Sequence, residues 1–411
     1  MKIDHFPRFL QSTFRAQRKW FSRIGFEHFR FLIVALLINA RRGKLSHLTN
    51  AIPNHGHRTA HARFLTSKWD APSVLAAQAI RIIKHMKPRP NEPIYLLIDD
   101  TRIRKHGRKM AGVSKIWDQK THAFMRGHIV LLAAIHFRGI TIPWAVELWM
   151  PKTQTVNDYR KLTQIAASLI QQFPTNISRK VRVLFDAAYL AQTVVKACES
   201  QGFTWFSVAA RNRKLFRRGQ KKSIRDLAPG VLKYHGHRVR MKRSRGWRWM
   251  RIASVIGTLG KTGKVRLVVS KRSKRSGREM LSVVTNELKR SDRETIVVYE
   301  KRWNIEVLFK ELRTSLSLTD YQVMSRIAIE RHLHLSCMAH QTLTHQAVLA
   351  EGAQAKQENK DVTLPTLQQQ IDNFRQQANH DRVNRLLKRI KNKKTKALLR
   401  RYLNAEAPVA A

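Results

Sequence analysis

The sequence predicts an α/β fold in which an N-terminal helical part precedes a mixed β-sheet. The first 90 residues interleave aromatic and basic side chains in runs of helical length. From Ile94 onward, short apolar runs of strand length alternate with glycine turns and amphipathic stretches. The chain has 411 residues, of which 43% are hydrophobic, so it can build a globular core and about two to four domains.

The order of the elements after Ile94 narrows the fold. Three strands come first, the second and third as a hairpin turning at Arg138 and Gly139, and helical crossovers join the later strands. The predicted elements are strands over 94–98, 127–137 and 140–148, a helix over about 157–172, a strand over 181–185, a helix over 189–200 and a strand over 203–208. This βββαβαβ order is that of a ribonuclease H-like mixed sheet.

Residues 1–90 are predicted to form an N-terminal helical domain that binds DNA. A helix is expected from Ala71 to His85, with Asp70 as its N-cap and a proline in its first turn. A proline-rich linker follows over 87–93. The alternative is a helical cap that only packs on the next domain.

Residues 211–290 interrupt the sheet and are strongly basic. They hold 26 Lys and Arg against 3 acids, and short alternating stretches predict an inserted antiparallel β-subdomain with one basic face. This charge density is expected to neutralise DNA phosphates. Trp247 and Trp249 share one side of a predicted strand, where they would either stack on bases or, as is commoner, belong to the core.

The sheet domain is expected to comprise residues 91–210 and 291–350. Residues 351–411 are predicted to be a linker, rich in Gln, Asn and Ala to about residue 380, and a basic C-terminal helical tail. Residues 382–401 hold ten Lys and Arg and no acid, which favours a helix lying on DNA or a disordered arm.

The charge balance points to a polyanionic partner. Lys and Arg total 79 against 27 Asp and Glu, a formal net charge of +52, and such self-repulsion is typical of proteins that bind nucleic acid. Cys198 and Cys337 are too few and too far apart for a disulfide framework or a cysteine zinc site. The apolar run at 31–40 is shorter than the ~20 residues that span a bilayer, so we expect a buried helix, no membrane and a cytoplasmic location.

Three acids stand where they can act together. Asp99 is expected to end the first strand, Asp186 to end the strand after the crossover helix, and Glu306 to lie on a later helix. In a ribonuclease H-like sheet those two strands are neighbours, so the aspartates converge and the helix can bring Glu306 opposite. Asp100 remains an alternative to Asp99, and a single aspartate at a strand end is more often a turn or helix cap.

Gathered carboxylates predict a metal site. They repel one another unless a cation compensates, and Mg²⁺ or Mn²⁺ prefers oxygen ligands. Asp99, Asp186 and Glu306 are therefore the predicted metal ligands and catalytic residues. Two such ions, about 3.5–4 Å apart, can activate a water or a 3′-hydroxyl and stabilise the leaving oxygen of a phosphodiester.

A polar row surrounds Glu306. Tyr299, Arg302, Glu306, Lys310 and Arg313 are spaced so that they line one face of a single predicted helix. The three cations are expected to bind phosphate oxygens of DNA. The alternative is a charged helix face exposed to solvent.

On these residues, the chain resembles the DDE-type bacterial insertion-sequence transposases, in the branch with the signature Tyr-x2-Arg-x3-Glu-x6-Lys and a β-sheet insertion before the catalytic Glu. The resemblance covers about residues 94–349. It rests on Asp99-Asp100-Thr101, Asp186-Ala-Ala-Tyr189, Val265-Arg-Leu-Val-Val269, Thr285-Asn286 and Arg302-Trp303-x-Ile305-Glu306.

The resemblance implies roles for these positions. Asp99, Asp186 and Glu306 would be the metal ligands, with Asp99 favoured over Asp100 because the family's Asp stands two residues before Thr or Ser. Tyr299 and Arg302 would contact the cleaved DNA end. The final signature position departs from the family, since it holds Arg313 instead of Lys; a rigid guanidinium contacts phosphate differently, and Lys310 would share the task.

The resulting hypothesis is a DNA transposase that binds the terminal inverted repeats of its own element, cleaves by metal-assisted hydrolysis and joins the 3′-hydroxyl to target DNA. The resemblance further implies cut-and-paste movement through a hairpinned end, a synaptic dimer on double-stranded DNA and a bacterial, nucleoid-associated location. The alternatives are a catalytically inactive DNA-binding derivative and a metal-dependent nuclease that does not transpose.

Overall fold

The computed structural model describes residues 2–3, 5–39, 42–118, 121–155, 157–243, 246–272, 280–358, 364–390 and 395. The chain divides into two compact units. The first comprises Met1–Val74, Glu311–Val323 and Ile327–Ala411, and the second comprises Leu75–Lys310 and Met324–Arg326.

The chain contains both helices and strands, as predicted for an α/β protein. The helices are α1 Gln11–Arg15, α2 Arg23–Ile38, α3 Leu45–Ala51, α4 Arg58–Thr66, α5 Ala71–His85, α6 Leu162–Gln172, α7 Gln192–Ser200, α8 Ile224–His235, α9 Asp292–Glu300, α10 Trp303–Ser315, α11 Arg326–Glu358 and α12 Leu367–Arg389. The strands are β1 Ile94–Arg104, β2 Ser114–Asp118, β3 Ala123–Phe137, β4 Ile140–Leu148, β5 Val181–Phe185, β6 Thr204–Val208, β7 Lys214–Arg217, β8 Gln220–Ser223, β9 His237–Arg243, β10 Gly246–Thr258, β11 Lys264–Arg272 and β12 Leu281–Thr285.

The first unit is helical around an aromatic and aliphatic core. Ser22 starts α2 by accepting a hydrogen bond from the Gly25 amide at 3.1 Å. The second half of α2 is buried, as predicted for the apolar run. In the first half of α2, Phe29 stacks on Phe21 with ring centroids 4.5 Å apart. No helix within the described residues is both long and apolar enough to cross a membrane.

Helix α12 begins inside the segment for which the sequence predicts a linker. Thr366 and Gln369 form a capping box at its start. Leu367, Ile371 and Phe374 lie on one helical face and are buried, so apolar packing stabilises a helix in spite of the polar composition. Most of the predicted basic tail after residue 390 lies outside the described residues.

The second unit is built on a mixed sheet. Its strand order is β2-β3-β1-β5-β6-β12-β11-β10-β7-β8, with β4 also paired to β3 and β9 to β10. β1, β5 and β6 are parallel, whereas β3 pairs antiparallel with β1 and with β4. The order β4-β3-β1-β5-β6, with α6 and α7 between the last strands, confirms the α/β class and is consistent with a ribonuclease H-like fold.

The strands of residues 211–290 extend this same sheet. β12 pairs antiparallel with β6, with Val283 opposite Val208, and β11 and β10 follow outward. Trp247 and Trp249 on β10 are 51% and 54% exposed, so they do not belong to the core.

Candidate active site

Asp99 and Asp186 lie at the same level of two neighbouring parallel strands. The register pairs Ile98 of β1 with Phe185 of β5, and each aspartate is the next residue along its chain. However, β1 does not end at Asp99 as predicted, because β3 pairs with it as far as Arg104. Asp99 therefore stands inside a strand, at the point where the adjacent strand β5 stops.

Asp186 caps the turn that follows β5. Its Oδ1 accepts a hydrogen bond from the Ala188 amide at 2.8 Å, at the start of the 3-10 helix Ala187–Tyr189. Its backbone carbonyl accepts a second bond from the Ser207 hydroxyl at 3.0 Å. The common capping role of a strand-end aspartate is thus present here, and it fixes the carboxylate at the carboxyl end of β5.

Asp99 sits in an electrostatically unfavourable place for a carboxylate. Burial and, to a smaller extent, the nearby Asp186 raise the pKa of Asp99 to about 7, although Arg302 opposes the rise. A carboxyl group with this pKa is about half protonated at neutral pH. Because burial and a neighbouring carboxylate both destabilise the ionised form of Asp99, an added cation would be stabilised here.

The Arg302 guanidinium bridges Asp99 and Glu306. Its Nη1 donates to Asp99 Oδ2 at 3.0 Å and its Nη2 donates to Glu306 Oε1 at 2.5 Å. The side chains of Arg302 and Asp99 are only 16% and 15% exposed, so water screens this pair weakly. Through Arg302, Glu306 is linked to the strand that carries Asp99.

Tyr299, Arg302 and Glu306 share a face, but not on the single helix that the sequence predicts. That prediction is wrong, because α9 ends and α10 begins on either side of a two-residue turn that includes Arg302. The Arg302 amide still donates to the Tyr299 carbonyl at 3.0 Å, which keeps the turn compact. The Arg302 guanidinium lies 5.9 Å from the Tyr299 ring centroid, so the predicted face survives the break.

The remaining members of the polar row differ in their surroundings. Tyr299 is buried, and burial raises the pKa of its phenol to about 12, so it is neutral. Lys310 is exposed on α10. Arg313 belongs to the first unit, where burial lowers the pKa of its guanidinium.

Tyr189 contacts this site, although no role was predicted for it from the sequence. Its side chain is 1% exposed, and its hydroxyl donates to Asp100 Oδ1 at 2.8 Å. Burial raises the pKa of Asp100, and this hydrogen bond opposes the rise. The bond joins the turn after β5 to β1. An aromatic residue three positions after Asp186 was visible in the sequence, but its partner lies 89 positions away.

The described residues contain no group of three or more His, Cys, Asp or Glu placed to hold a metal ion. For Asp99 and Glu306 the Arg302 bridge explains this, because its guanidinium binds one oxygen of each carboxylate. The side chains themselves offer the hard oxygen donors that Mg²⁺ and Mn²⁺ prefer.

Comparison with known protein families shows which family the chain belongs to. A model described as "Transposase DDE domain" matches residues 90–341. The chain belongs to the DDE transposase family. The match includes all the strands of the sheet together with α9 and α10, and it confirms the resemblance drawn from the sequence.

A curated relative gives a second, partial match to this DDE transposase family. The "Probable transposase for insertion sequence element IS701" of Microchaete diplosiphon is 25% identical over 189 residues. The match covers 46% of this chain and 47% of that protein, so the chain spans about half the length of the relative.

Proposed function

We propose that this chain is a DNA transposase that binds the terminal inverted repeats of its own insertion sequence and catalyses metal-dependent cleavage and strand transfer. The observation that carries the proposal is the position of Asp99 and Asp186 at one level of parallel strands, with Glu306 linked to Asp99 through Arg302. Membership of the DDE family supports this interpretation of the three acids.

Asp99, Asp186 and Glu306 would hold the metal, Mg²⁺ or Mn²⁺, with two ions expected. The donor set fits, and the raised pKa of Asp99 marks a place where positive charge is stabilised. Bound by these residues, such ions would supply activation of a water or a DNA 3′-hydroxyl and stabilisation of the leaving oxygen. For all three carboxylates to be available, Arg302 must release Asp99 and Glu306.

The protein's own groups would then position the DNA. Once released, Arg302 has a free guanidinium that can bind a phosphate of the cleaved end through two parallel hydrogen bonds. The neutral Tyr299 phenol can donate one hydrogen bond without repelling the phosphate. Lys310 and Arg313 would neutralise neighbouring phosphates.

Within this proposal, each predicted domain has its own role. Residues 1–90 would bind the repeats, 91–210 and 291–350 would form the catalytic domain, and the basic insertion 211–290 would neutralise DNA along the sheet. The linker and basic tail of 351–411 would add contacts to DNA. The active assembly would be a dimer that pairs both transposon ends, in the bacterial nucleoid, and that moves the element by cut-and-paste.

Substitution of the three acids tests this proposal. Asp99→Asn, Asp186→Asn and Glu306→Gln should each lower Mg²⁺-dependent cleavage of DNA carrying the element's ends by at least about a hundredfold. Binding to the ends should persist in a gel-shift assay. Asp158→Asn is the matched control, because Asp158 is an exposed acid of the same unit. Wild-type cleavage by any of the three variants would contradict the proposal.

A second candidate is a DNA-binding derivative without catalysis. The observation that favours it is the Arg302 bridge, in which a guanidinium of the protein itself binds one oxygen of each of two of the three acids. Such a protein would shift the same DNA in a gel but produce no nicks at any Mg²⁺ or Mn²⁺ concentration. Joining of the cleaved 3′-end to a second DNA would in turn separate a transposase from a nuclease.

A further inference from the structure

The hairpin of β2 and the start of β3 has one packed and one open face. Ile116 is buried on the packed face, where its cross-strand partner Met125 is half-buried. The residues of the other face are all exposed, and we call them the β2–β3 patch: Lys115, Trp117, Phe124 and Arg126.

Two large rings lie open to solvent in this patch. Trp117 is 45% and Phe124 60% exposed, they pair directly across the strands, and their ring centroids are 5.1 Å apart at an interplanar angle of 73°. Lys115 Nζ lies 4.6 Å from the centroid of the Phe124 ring. Adjacent exposed aromatic rings are typical of a contact surface, because a partner that covers them gains apolar burial.

The cations of the patch indicate the charge of that partner. Lys115 and Arg126 face each other across the strands. Like charges directly opposite in an antiparallel pair are destabilising, and among the described residues neither cation forms a salt bridge. An anion lying across the hairpin would remove this repulsion.

The patch lies on the face of the sheet that carries Asp99. Asp99 pairs with Leu132 of β3, and Phe124 and Arg126 are separated from Leu132 by even numbers of residues, so these side chains share one side. Eight strand residues place Phe124 roughly 26 Å from the level of Asp99. This is the length of about eight nucleotide steps at the ~3.4 Å spacing of a strand in a duplex, and of fewer steps in an extended single strand.

We propose that the β2–β3 patch binds unpaired DNA on the path that leads to Asp99, with Trp117 and Phe124 stacking on bases and Lys115 and Arg126 contacting phosphates. This inference rests on the proposed function, which supplies DNA as the substrate. Aromatic rings with flanking cations bind single strands without reading their sequence. An intact duplex hides its base faces, and a second copy of this chain would present more positive charge to the patch.

Anisotropy titrations with a labelled single-stranded oligonucleotide of mixed sequence test the proposal. Measurement at elevated salt weakens contacts from the rest of this basic chain. Trp117→Ala and Phe124→Ala should each weaken binding about tenfold, as expected for the loss of one stacked base. Phe124→Tyr should restore wild-type affinity.

Gln171→Ala is the control for substitution at an exposed site and should leave binding unchanged. Gln171 is exposed on α6 of the same unit and lies outside the basic insertion 211–290. Crosslinking of a 5-iodouracil-substituted strand gives a second readout, and Trp117 or Phe124 should be the modified residue.

Several results would overturn the proposal. One is an affinity for single-stranded DNA that neither alanine substitution changes. Another is an equal loss of affinity for a duplex of the same sequence. A third is a change in the oligomeric mass of the variants, which would make the patch an interface between copies of the chain. Should Trp117→Ala unfold the hairpin, Phe124→Ala alone decides. The same titrations with Asp99→Asn protein, which should not cleave, separate a failure of the patch from a failure of the transposase assignment.

Discussion

Replacing Tyr189 with Phe removes one hydroxyl group and should loosen the connection between the two aspartate-bearing segments. That hydroxyl is buried and donates to Asp100 at 2.8 Å. A hydrogen bond to a charged group contributes about 1.5–3 kcal/mol, and its loss leaves a largely buried carboxylate without this donor. We therefore expect Tyr189→Phe to lower the free energy of unfolding by ~2 kcal/mol near neutral pH.

Urea denaturation of the wild type, Tyr189→Phe and Tyr234→Phe measures this difference. Tyr234 is 76% exposed, so loss of its hydroxyl should change stability by less than about 0.5 kcal/mol. The Tyr189 hydrogen bond lowers the pKa of Asp100 in the folded state, so its contribution is present where Asp100 is ionised and is lost as the pH falls and Asp100 is protonated. The penalty of Tyr189→Phe should therefore shrink in acid.

The same variant should also cleave more slowly, because Asp186 and Asp99 are held less firmly at one level. A Tyr189→Phe protein as stable as the Tyr234→Phe control would refute this reasoning. So would a penalty that grows as the pH is lowered.

Three further predictions concern charge, packing and burial. Arg302→Gln removes the cation between Asp99 and Glu306. Mg²⁺ should therefore raise the melting temperature of this variant more than that of the wild type. An equal rise in both proteins would contradict the inference that Arg302 occupies the place of a cation. Gly127→Ala should lower the free energy of unfolding in urea by about 1–3 kcal/mol, because the added Cβ would lie 2.3 Å from a backbone oxygen of β1. Gly230→Ala is the control, since its Cβ would enter open space on α8 and should stabilise the protein by ~0.5–1 kcal/mol. Burial lowers the pKa of both His61 and His136 to about 4, below the value in the unfolded chain. The unfolded chain therefore binds more protons than the folded chain, and each histidine should lower stability by ~1.4 kcal/mol per pH unit as the pH falls from about 6.5 to 4. Equal urea denaturation midpoints at pH values near 7 and 5 would contradict this.

Locally encoded features could be predicted from the sequence. β5 has the predicted bounds, because four of its five residues are apolar and all five are buried, as fits a strand covered on both faces. α5 likewise has the predicted bounds, and Asp70 accepts the cap hydrogen bond from the Ser73 amide at 3.0 Å. The alignment of Asp99 with Asp186 followed from strand order alone.

Features that depend on distant partners could not be predicted. β1 continues past Asp99 because β3 pairs with its polar second half, and the strands of 211–290 join the main sheet because β12 pairs with β6. The Arg302 bridge depends on a contact between residues 203 positions apart. By contrast, Thr366 and Gln369 have the spacing of a capping box in the sequence itself. The polar composition of the segment nevertheless favoured the prediction of a linker over that of a helix.

Crystals of the protein with a cleaved DNA end and Mn²⁺ would test most directly whether Asp99, Asp186 and Glu306 form one metal site. We expect anomalous peaks for manganese about 2.1 Å from carboxylate oxygens of all three residues, with Arg302 turned to a DNA phosphate. Manganese bound elsewhere, with Arg302 still bridging Asp99 and Glu306, would contradict the assignment.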